Sequence, residues 1–508
     1  MVLDFFKKKG VNKILFVATE AAPFAKAGGL GEVMFSLPRA LEKLGYDARV
    51  MIPRYAGIDP HQFKLDMEYE GLQVPTDAKE AGQPEYLICN VRKYAAGQLP
   101  RSPVTTYFLE NLEYYEQRAN IYGYADDAVR WTLLSRGILE FLRRSEWKPD
   151  VIVSADWQTG FLPNYLKTVY KDDPRLNSIA TVFSIHNLYY QGMFNHRFVS
   201  ETDYDAGQAA IPSFFDPRLL QLNGMRRGIM YADLINTVSP TYAKEIMTEE
   251  FGELLDGLLR ERRSRVYGVI NAIDYKVFNA ETNTNLKMQF NSGSLERRAM
   301  NKVEVQSRFG LPQEKDKFLV ALVSRLTEQK GLDLLFSVID ALLKELPLQF
   351  VVLGIGDGKY MSYFQDLEKR FPGKVAANLV FDANLPHLIY AGADLILVPS
   401  KFEPCGLSQM EAMRYGAVPL VRKTGGLADT VEDYNPEKNT GTGFVFESFD
   451  SLSLVMAMTR AFESFRNPKV WRGIQGRAME KDFSWKYSAV EYAKLFEISA
   501  KLVKRVEE

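Results

Sequence analysis

The sequence predicts an α/β protein built from two doubly wound parallel-sheet units, and three observations indicate this fold class. Apolar runs such as KILFVATE (13–20) are hydrophobic almost throughout, which is typical of parallel strands covered on both faces. Each run leads into a polar or glycine-bearing loop and then a helical stretch. The pattern occurs in two series, and a chain of 508 residues is long enough to bury two such cores.

In the first series, KILFVATE (13–20) is followed by a glycine-bearing loop (26–31), a helix and the strand DARVMIP (47–53). This order forms one β-loop-α-β unit and implies parallel pairing. Three later segments of the series also predict strands, the last of them continuing into a helix: 149–160, 179–187 and 233–246. Polar residues follow each strand, at the edge where open α/β sheets bind ligands.

The second series begins at 317–335, which reads as strand, loop and helix. Four further strand segments follow it: 348–358, 378–384, 394–406 and 417–426. The boundary lies in the irregular, polar stretch between about 250 and 316. We predict one domain at 1–265, a second at 266–484, and a C-terminal helix at 485–508 that packs back on the first domain. Two such domains facing each other would form a central cleft.

The composition narrows the classes of partner and compartment. Hydrophobic residues make up 46% of the chain and charged residues 25%, as in ordinary globular proteins. The 63 basic and 64 acidic residues nearly cancel, so nucleic acid and membrane surfaces are not expected partners. Two cysteines, Cys89 and Cys405, are too few for a disulfide framework, and the opening MVLDFFKKKG is too short for a signal peptide. We therefore expect a cytoplasmic protein.

A glycine-bearing loop near the start of the first domain carries candidate ligand contacts. In KAGGLGEV (26–33), Gly28 and Gly29 allow close backbone approach and positive φ, and Lys26 adds a positive charge. The helix that follows would offer free N–H groups to an anion. The alternative is a tight turn with a solvated lysine. KTGGLADT (423–430) repeats the pattern in the second domain.

Polar side chains also end two other strands of the first domain. Asp156, Trp157 and Gln158 follow one strand, and His186 and Asn187 follow another. An aromatic ring beside an acid suits a sugar, because the ring stacks on the sugar face while the acid accepts hydroxyl protons. For His186 the alternative is a histidine that is simply satisfied within the core.

In the second domain, Arg325 and Lys330 lie between a buried strand and a helix start, where two cations suit a diphosphate leaving group. Glu403 ends a buried strand and could hold a sugar hydroxyl or oppose a developing positive charge. Cys405 opens the following helix and is more often a packing residue than a nucleophile. The turn GIGDG (354–358) only partly matches the dinucleotide fingerprint.

Eight motifs, in order, resemble the bacterial glycogen synthases and plant starch synthases across about positions 13–430. They are KAGGLGEV, SADWQTG, SIHNLYYQGMF, NTVSPTYAKEI, EFGELLDGLLRER, SRLTEQKGLDLL, KFEPCGLSQMEAM and KTGGLADTV. The resemblance implies the GT-B fold of two Rossmann-like domains. It also implies transfer of glucose from a nucleotide sugar to the non-reducing end of an α-1,4-glucan, with retention of configuration. ADP-glucose is the expected donor, with UDP-glucose as the alternative, and neither metal nor cofactor is required.

The resemblance also implies roles for individual residues. Four are implied in catalysis: His186, Arg325, Lys330 and Glu403. Nine are implied as donor contacts: Lys26, Gly28, Gly29, Asn187, Phe381, Cys405, Gly406, Leu407 and Ser408. Asp156 and Glu32 are implied as contacts to the sugar or acceptor. Phe381 falls where the family places an aromatic ring against the nucleotide base.

Three positions depart from the family pattern. Glu32, Gln158 and Ala272 stand where the family usually has Asp, His and Gly. The first two keep acidic or hydrogen-bonding character. A positive φ at Ala272 would strain the backbone, because its methyl group disfavours that region.

Competing functions remain. A GT-B transferase for a lipid or small sugar is disfavoured by the long family-like first half, and a silent glucan-binding paralogue by the joint presence of Lys26, Arg325, Lys330 and Glu403. An NAD-dependent oxidoreductase would need the full glycine fingerprint and its acid. The segment DYD (203–205) fits the Asp-x-Asp of metal-dependent glycosyltransferases, but it follows no buried strand, so we predict a loop.

Overall fold

Apolar runs become the central strands of two separate sheets in the computed structural model, which describes residues 10–99, 102–192 and 205–507. The predicted fold class is confirmed, since each sheet belongs to its own α/β unit. The first unit comprises Met1–Val238, Ala243–Asn271 and Trp485–Glu508, and the second comprises Ser239–Tyr242 and Ala272–Ser484. The opening stretch, residues 1–9, lies outside the described residues.

The described residues form fifteen strands. The nine strands of the first sheet are β1 Lys13–Val17, β2 Asp47–Pro53, β3 Asp66–Pro75, β4 Tyr86–Tyr94, β5 Thr106–Glu110, β6 Val151–Ala155, β7 Ala180–Ile185, β8 Leu234–Thr237 and β9 Val266–Gly268. The six strands of the second sheet are β10 Phe318–Val323, β11 Leu348–Leu353, β12 Val375–Asn378, β13 Leu395–Val398, β14 Val418–Arg422 and β15 Phe444–Phe446.

The α-helices of the described residues connect these strands. Those before residue 272 are α1 Gly29–Lys43, α2 Asp127–Arg144, α3 Phe161–Lys167, α4 Gly224–Tyr231, α5 Pro240–Glu245 and α6 Asp256–Glu261. The later ones are α7 Arg298–Arg308, α8 Asp333–Phe336, α9 Ile339–Glu345, α10 Gly358–Arg370, α11 Leu385–Gly392, α12 Ser408–Arg414, α13 Gly425–Thr430, α14 Ser451–Phe465, α15 Pro468–Glu480 and α16 Trp485–Glu507. Short 3-10 turns include Trp157–Thr159, Pro217–Gln221 and Glu328–Lys330.

The order and direction of the strands show which loops share the edge of each sheet where ligands are expected to bind. The first sheet runs β3-β4-β5-β2-β1-β6-β7-β8-β9, and β1 pairs in parallel with β2 and β6. The second runs β12-β11-β10-β13-β14-β15 with parallel pairing throughout. Because the carboxyl ends of parallel strands share one edge, the loops after β1, β6 and β7 lie together, as do those after β10, β11, β13 and β14. The pairings of β4 with β3 and with β5 are antiparallel and were not predicted.

The core of the second unit shows why an almost fully apolar segment correctly predicted a central parallel strand. Along β10, Phe318, Val320 and Leu322 face one hydrophobic cluster. Their neighbours Leu319 and Ala321 face another. Both faces of the strand are therefore covered, as in a doubly wound sheet.

One predicted strand is wrong. The segment 378–384 was expected to be a strand, but β12 ends at Asn378 and the following residues form a loop. Asp382 explains the change, because its Oδ1 accepts the backbone N–H groups of Asn384 (2.7 Å) and Leu385 (2.9 Å) at the start of α11. A side chain that caps a helix in this way favours a turn over continued strand.

The C-terminal helix α16 contacts α1, β6 and β7 of the first unit. Phe496 packs edge-on against Phe16 of β1, with ring centroids 6.1 Å apart. Ala272 does not adopt positive φ, so the conditional strain at this departure from the family pattern is not found. Among the described residues, no helix is long and apolar enough to cross a membrane.

One exposed turn of the first unit has two consecutive residues in a strained backbone conformation. Glu253 and Leu254 both have positive φ, +50° and +64°. The Leu254 side chain is 58% exposed, so its packing does little to offset the cost of this backbone conformation. For a residue with a Cβ, this left-handed conformation costs about 1–2 kcal/mol.

We predict that Leu254→Gly stabilises the protein. Removing the Cβ relieves about 1–2 kcal/mol of strain, and the added freedom of the unfolded chain costs about 0.5–1 kcal/mol, so the net gain is about 0.5–1 kcal/mol. Denaturant unfolding measures it. Leu220, 50% exposed with ordinary φ, is the matched control, and Leu220→Gly should lower stability. Equal losses in both variants would contradict the strain argument.

Candidate active site

A buried carboxylate forms hydrogen bonds with the backbone of the first Lys-x-Gly-Gly loop and so fixes its position. Glu20, only 3% exposed, follows β1, and its Oε2 accepts the backbone N–H groups of Ala27 (2.6 Å) and Gly28 (2.9 Å). Its Oε1 accepts the hydroxyl of Tyr122 at 2.9 Å. Two amides beside the start of α1 are thus already bonded within the protein.

The backbone of this loop does not use the positive φ that its first two glycines would allow. Gly28 is extended, with φ −149°, and neither Gly28 nor Gly29 adopts positive φ. Gly31 is the sterically restricted position, because a Cβ there would lie 3.1 Å from Glu20 Oε2 and 3.2 Å from Lys26 Cγ. In this loop, close packing therefore restricts Gly31, whereas a Cβ on Gly28 would make only an ordinary 3.8 Å contact with Glu20 Oε1.

Lys26 is held by an acid from the same motif. Its Nζ lies 2.6 Å from Oε1 of Glu32, with side chains 52% and 39% exposed. Glu32, one of the departures from the family pattern, is long enough to reach back from α1 to the lysine. An exposed pair of this kind contributes little stability, so Lys26 can exchange Glu32 for another anion at small cost.

Asp156 organises the corner after β6 and β7. Its Oδ1 accepts the backbone N–H groups of His186 (2.7 Å) and Asn187 (3.2 Å). Asp156 has φ +57° and ψ 180°, a region that is essentially restricted to glycine. Strain of this size persists only where the surroundings enforce it. The structure thus brings together three predicted site residues of the first unit.

Burial sets the protonation states at this corner. Desolvation raises the pKa of Asp156 to about 7, with a further increase from the charge of Glu20, against the opposing effect of its two backbone hydrogen bonds. Burial lowers the pKa of His186 to about 4, so its imidazole is neutral at pH 7. His186 Nε2 lies 3.3 Å from the hydroxyl of Ser184. A neutral imidazole can present one donor and one acceptor to a sugar.

Trp157 also contributes, though by packing. A Cβ on Gly192, which has φ +91°, would lie 2.4 Å from the Trp157 ring. The neighbouring Gln191 donates to the backbone oxygen of Glu253 at 2.7 Å. Gln158, a second departure from the family pattern, is buried. This part of the motif supports the loop after His186.

In the second unit, Lys330 and Glu403 form a buried ion pair. Lys330 Nζ lies 2.6 Å from Glu403 Oε2, and their side chains are only 17% and 7% exposed. The hydroxyl of Ser400 donates to the same oxygen at 2.8 Å. The structure thus brings these two predicted site residues into direct contact, which the sequence analysis did not predict.

Arg325 has a different environment. Its side chain is exposed, and among the described residues its guanidinium has no hydrogen-bond or ion-pair partner. The turn that carries it is clamped by GIGDG: Leu326 N donates to Ile355 O (2.9 Å), and Asp357 N donates to Leu326 O (2.8 Å). A Cβ on Gly354 would lie 1.9 Å from Ser324 O. GIGDG therefore positions the Arg325 turn.

The second Lys-x-Gly-Gly loop packs against the Glu403 segment. Gly425 has φ +44°, and a Cβ on it would lie 2.0 Å from Glu403 O. A Cβ on Gly426 would lie 2.0 Å from Cys405 O, and its N–H donates to Glu403 O at 3.1 Å. Only glycine permits these approaches. The loop thereby fixes the backbone that carries Glu403.

The start of α12 combines a buried thiol with more accessible backbone. Cys405 is buried, whereas Gly406, Leu407 and Ser408 are partly exposed. Gln409 donates to the backbone oxygens of Cys405 (3.2 Å) and Gly406 (2.8 Å). Burial of the Cys405 side chain is typical of a packing cysteine.

Phe381 lies in the loop after β12 and is 82% exposed. Val380 (51%) and Ile355 (47%) are exposed apolar residues in the loops after β12 and β11. Phe381 therefore presents an open aromatic face on which a planar group can stack.

The segment DYD lies only partly within the described residues, because 203 and 204 fall outside them. Asp205 is described, and it accepts hydrogen bonds from Arg227 Nε (2.8 Å) and Nη2 (2.9 Å). Both side chains are buried, at 6% and 0% exposure. Asp205 is therefore engaged in a structural ion pair.

Two residues that contact the site loops, Glu20 and Tyr122, were missed from the sequence. Glu20 ends the apolar run KILFVATE, so the rule that polar residues at strand ends mark the ligand edge could have found it. Tyr122 gives no signal, because it is 102 residues from its partner and its segment has no motif.

Comparison with known proteins shows which protein family this chain resembles. A model of the starch synthase catalytic domain matches residues 13–261, and a model of group 1 glycosyl transferases matches residues 304–472. The chain is 42% identical over 489 residues to a glycogen synthase of Thermotoga petrophila, covering 95% of this chain and 98% of that protein. A glycogen synthase of Geobacillus stearothermophilus is 41% identical over 499 residues, covering 97% and 99%.

This chain belongs to the glycogen and starch synthase family.

A solved structure agrees with this placement. The catalytic domain of starch synthase IV from Arabidopsis thaliana, bound to ADP and acarbose, matches with a TM-score of 0.82 and 30% identity, covering 97% of this chain and all of that one. The sucrose-phosphate synthase of Thermosynechococcus elongatus, at 17% identity and a TM-score of 0.56, shares the fold. The two-sheet architecture is GT-B-like, and the protein is a glycosyltransferase.

In this glycosyltransferase the roles of individual site residues stay predictions. Each unit by itself groups several of them: Asp156, His186 and Asn187 in the first, Lys330 and Glu403 in the second. Arg325 and Phe381 are exposed on loops at the carboxyl edge of the second sheet.

We predict that Asp156→Asn becomes increasingly stable relative to wild type as pH rises from 5 to 7. The folded pKa of Asp156, about 7, lies above its unfolded value of about 3.9, so the folded state binds the proton more tightly. Ionisation therefore costs folding stability above pH 4, and the cost is complete above pH 7. The limit is about 4 kcal/mol, reduced by water around the partly exposed carboxyl.

Asparagine keeps the carbonyl oxygen that accepts the two backbone N–H groups, so the comparison isolates ionisation. Denaturant unfolding of both proteins between pH 5 and 8 measures the difference. The control is Asp216→Asn, because hydrogen bonds from Arg218 lower the pKa of Asp216 to about 2 and it does not titrate in this range. A difference for Asp156→Asn that is flat with pH would refute the assignment.

Proposed function

We propose that this protein is a glycogen synthase that transfers glucose from ADP-glucose to the non-reducing end of an α-1,4-glucan with retention of configuration, without metal or cofactor. The observation that carries the proposal is the buried pair of Lys330 and Glu403, 2.6 Å apart at the carboxyl edge of the second sheet, with Arg325 exposed on the same loop. Two cations and one acid on neighbouring loops at one edge of the sheet suit a sugar diphosphate.

In the proposed reaction, the bond between C1 of glucose and the diphosphate oxygen breaks. A new bond forms between C1 and the 4-hydroxyl oxygen of the acceptor, and the hydroxyl proton passes to an oxygen of the departing diphosphate. Attack from the same face as departure gives retention. The transition state carries positive charge at C1 and growing negative charge on the diphosphate, so it is stabilised by fixed charges of opposite sign.

The second unit supplies the groups for the leaving diphosphate in this proposal. The guanidinium of Arg325 has no competing partner among the described residues, so it is available to a phosphate. Lys330 is preorganised, because Glu403 and the segment after β13 fix its ammonium. The carboxylate of Glu403 then balances positive charge on the sugar and accepts one of its hydroxyls.

The first unit supplies hydrogen bonds to the sugar in this proposal. His186 is neutral at pH 7, as a hydrogen-bonding rather than charged role requires. Asp156 fixes the backbone of His186 and Asn187, and this restricts the directions in which the side chains of these two residues can point. The exposed ammonium of Lys26 would leave Glu32 to meet the donor.

The donor nucleotide is the finer part of the proposal. The exposed ring of Phe381 offers a face on which an adenine can stack, with Val380 and Ile355 extending the apolar surface. The starch synthase whose structure resembles this chain was bound to ADP, which supports ADP-glucose. A uracil offers less stacking area.

The deciding experiment measures radiolabelled glucose transfer to glycogen from ADP-glucose and UDP-glucose in parallel, with a metal chelator present. We expect strong incorporation from ADP-glucose. Preference for UDP-glucose would keep the enzyme class and overturn the donor. No transfer from either donor, with glucan binding intact, would favour a silent glucan-binding paralogue, and transfer only to another acceptor would favour a different GT-B enzyme.

We predict that Lys330→Ala lowers kcat by about a hundredfold or more, because it removes a preorganised charge that stabilises the leaving diphosphate. Steady-state kinetics with saturating ADP-glucose and glycogen measures the loss. Near-wild-type turnover would contradict the role of Lys330.

The matched control is Lys401→Ala in the same unit. Lys401 also pairs with an acid, Glu328, at 2.8 Å, but both side chains are exposed, at 49% and 70%. Its kcat should stay within about twofold of wild type, since exposed pairs contribute little. Thermal melting of both variants shows whether Lys330→Ala fails by unfolding, because it leaves Glu403 buried without its cation.

A further inference from the structure

Glu20 is a buried carboxylate with an unusual set of partners. It is 3% exposed, and among the described residues it has no ion pair with lysine, arginine or histidine. Burying a carboxylate costs several kcal/mol unless hydrogen bonds replace its water. The protein supplies three: the N–H groups of Ala27 and Gly28 and the hydroxyl of Tyr122.

The direction of the tyrosine hydrogen bond follows from its protonation. Burial, followed by the nearby charge of Glu20, raises the pKa of Tyr122. Its hydroxyl therefore remains protonated and donates to Glu20 Oε1, while the hydroxyl of Thr19, 2.7 Å away, donates to Tyr122. Tyr122 thus fixes the rotation of the carboxylate.

Both amides bound by Glu20 belong to the loop that carries Lys26. The 2.6 Å and 2.9 Å hydrogen bonds meet at one oxygen, Oε2, so a single atom determines the position of Ala27 and Gly28. Gly31 completes the contact, since a Cβ on it would lie 3.1 Å from that same oxygen.

We propose that Glu20 is a positioning residue, oriented by Tyr122, that holds the Lys26–Gly29 loop in the conformation that binds the nucleotide-sugar donor. This inference rests on the proposed function for the loop's role in donor binding. The hydrogen-bonded geometry of the loop does not depend on it.

Glu20 also has an electrostatic effect on a second site residue of the first unit. After burial, its charge contributes to the raised pKa of Asp156, the carboxyl that accepts the N–H groups of His186 and Asn187.

Three variants separate the hydrogen bonds from the charge. Glu20→Ala removes the acceptor and frees two amides. Glu20→Gln keeps an oxygen for both amides and presents its NH₂ group to Tyr122, whose hydroxyl can accept from it and donate to Thr19. Tyr122→Phe leaves the carboxylate in place but removes its orienting donor.

The expected results are a split between KM and kcat. Glu20→Ala should raise KM for ADP-glucose by about tenfold or more, with kcat within about threefold of wild type. The reason is that the variant weakens binding of the donor but leaves the groups that act in the transfer step unchanged. Glu20→Gln should stay within about threefold in both constants, and Tyr122→Phe should raise KM by about threefold. Hydrogen exchange of segment 21–31 should accelerate in Glu20→Ala and stay near wild type in Glu20→Gln.

The chain offers a matched control in the same unit. Glu140 is likewise buried, at 2% exposure, and accepts the hydroxyl of Tyr170 at 2.6 Å, but it contacts no predicted site loop. Glu140→Ala and Tyr170→Phe should leave KM for ADP-glucose and exchange of segment 21–31 unchanged, whatever they cost in thermal stability.

The outcomes are distinct. An unchanged KM in Glu20→Ala, or equal damage in Glu20→Gln and Glu20→Ala, overturns positioning by hydrogen bonds. If Glu20→Ala does not fold, the comparison of Tyr122→Phe with Tyr170→Phe decides, and equal KM values overturn the inference. If the wild-type chain uses neither nucleotide sugar, the proposed function fails, and hydrogen exchange alone then decides whether Glu20 fixes the loop.

Discussion

The ion pair between Lys330 and Glu403 is the interaction on which the candidate site of the second unit depends. Two charges that are 17% and 7% exposed have lost most of their hydration, so each is tolerated only because the other lies 2.6 Å away. The pair joins the turn after β10 to the segment after β13. A second hydrogen bond, from Ser400, leaves the Glu403 carboxylate little freedom to rotate. The geometry and the charge state of the site are therefore fixed together.

Close approach of backbones holds the loops around this pair. A Cβ on Gly331 would lie 2.0 Å from Pro399 O, and one on Gly425 would lie 2.0 Å from Glu403 O. Three loops at one edge of the sheet can approach this closely only where side chains are missing. The two Lys-x-Gly-Gly motifs thus look alike for different reasons. The second packs by backbone contact on Glu403, whereas the first is bonded to the carboxylate of Glu20.

The sequence predicted what depends on periodicity and chain order. Apolar runs identified the central strands, because a strand that is covered on both faces consists almost entirely of apolar residues. The polar residues that follow these strands led to Lys330, Glu403, Asp156 and His186. It did not predict the antiparallel β3-β4-β5 segment, in which β3 and β4 are half-exposed and carry mixed residues. It also misjudged 378–384, where the capping side chain of Asp382 outweighs an apolar run.

What the sequence could not supply is the identity of partners. Lys330 and Glu403 are 73 residues apart, and Glu20 and Tyr122 are 102 apart, so no local pattern links them. Gly425 and Gly426 approach the backbone oxygens of Glu403 and Cys405, and a backbone oxygen leaves no signature in a sequence.

The two units differ in the charge of their candidate sites, and this difference bears on the chemistry. Within the first unit, Glu20 and Asp156 are carboxyls without a cationic partner among the described residues, and the one nearby lysine, Lys26, is paired with Glu32. In the second, Arg325 and Lys330 outnumber Glu403. Glu20 also occupies two amides beside α1 that would otherwise attract an anion. Under the proposed function, the cations of the second unit are therefore the expected contacts of the diphosphate, and the acids and His186 of the first unit are the expected contacts of neutral sugar hydroxyls.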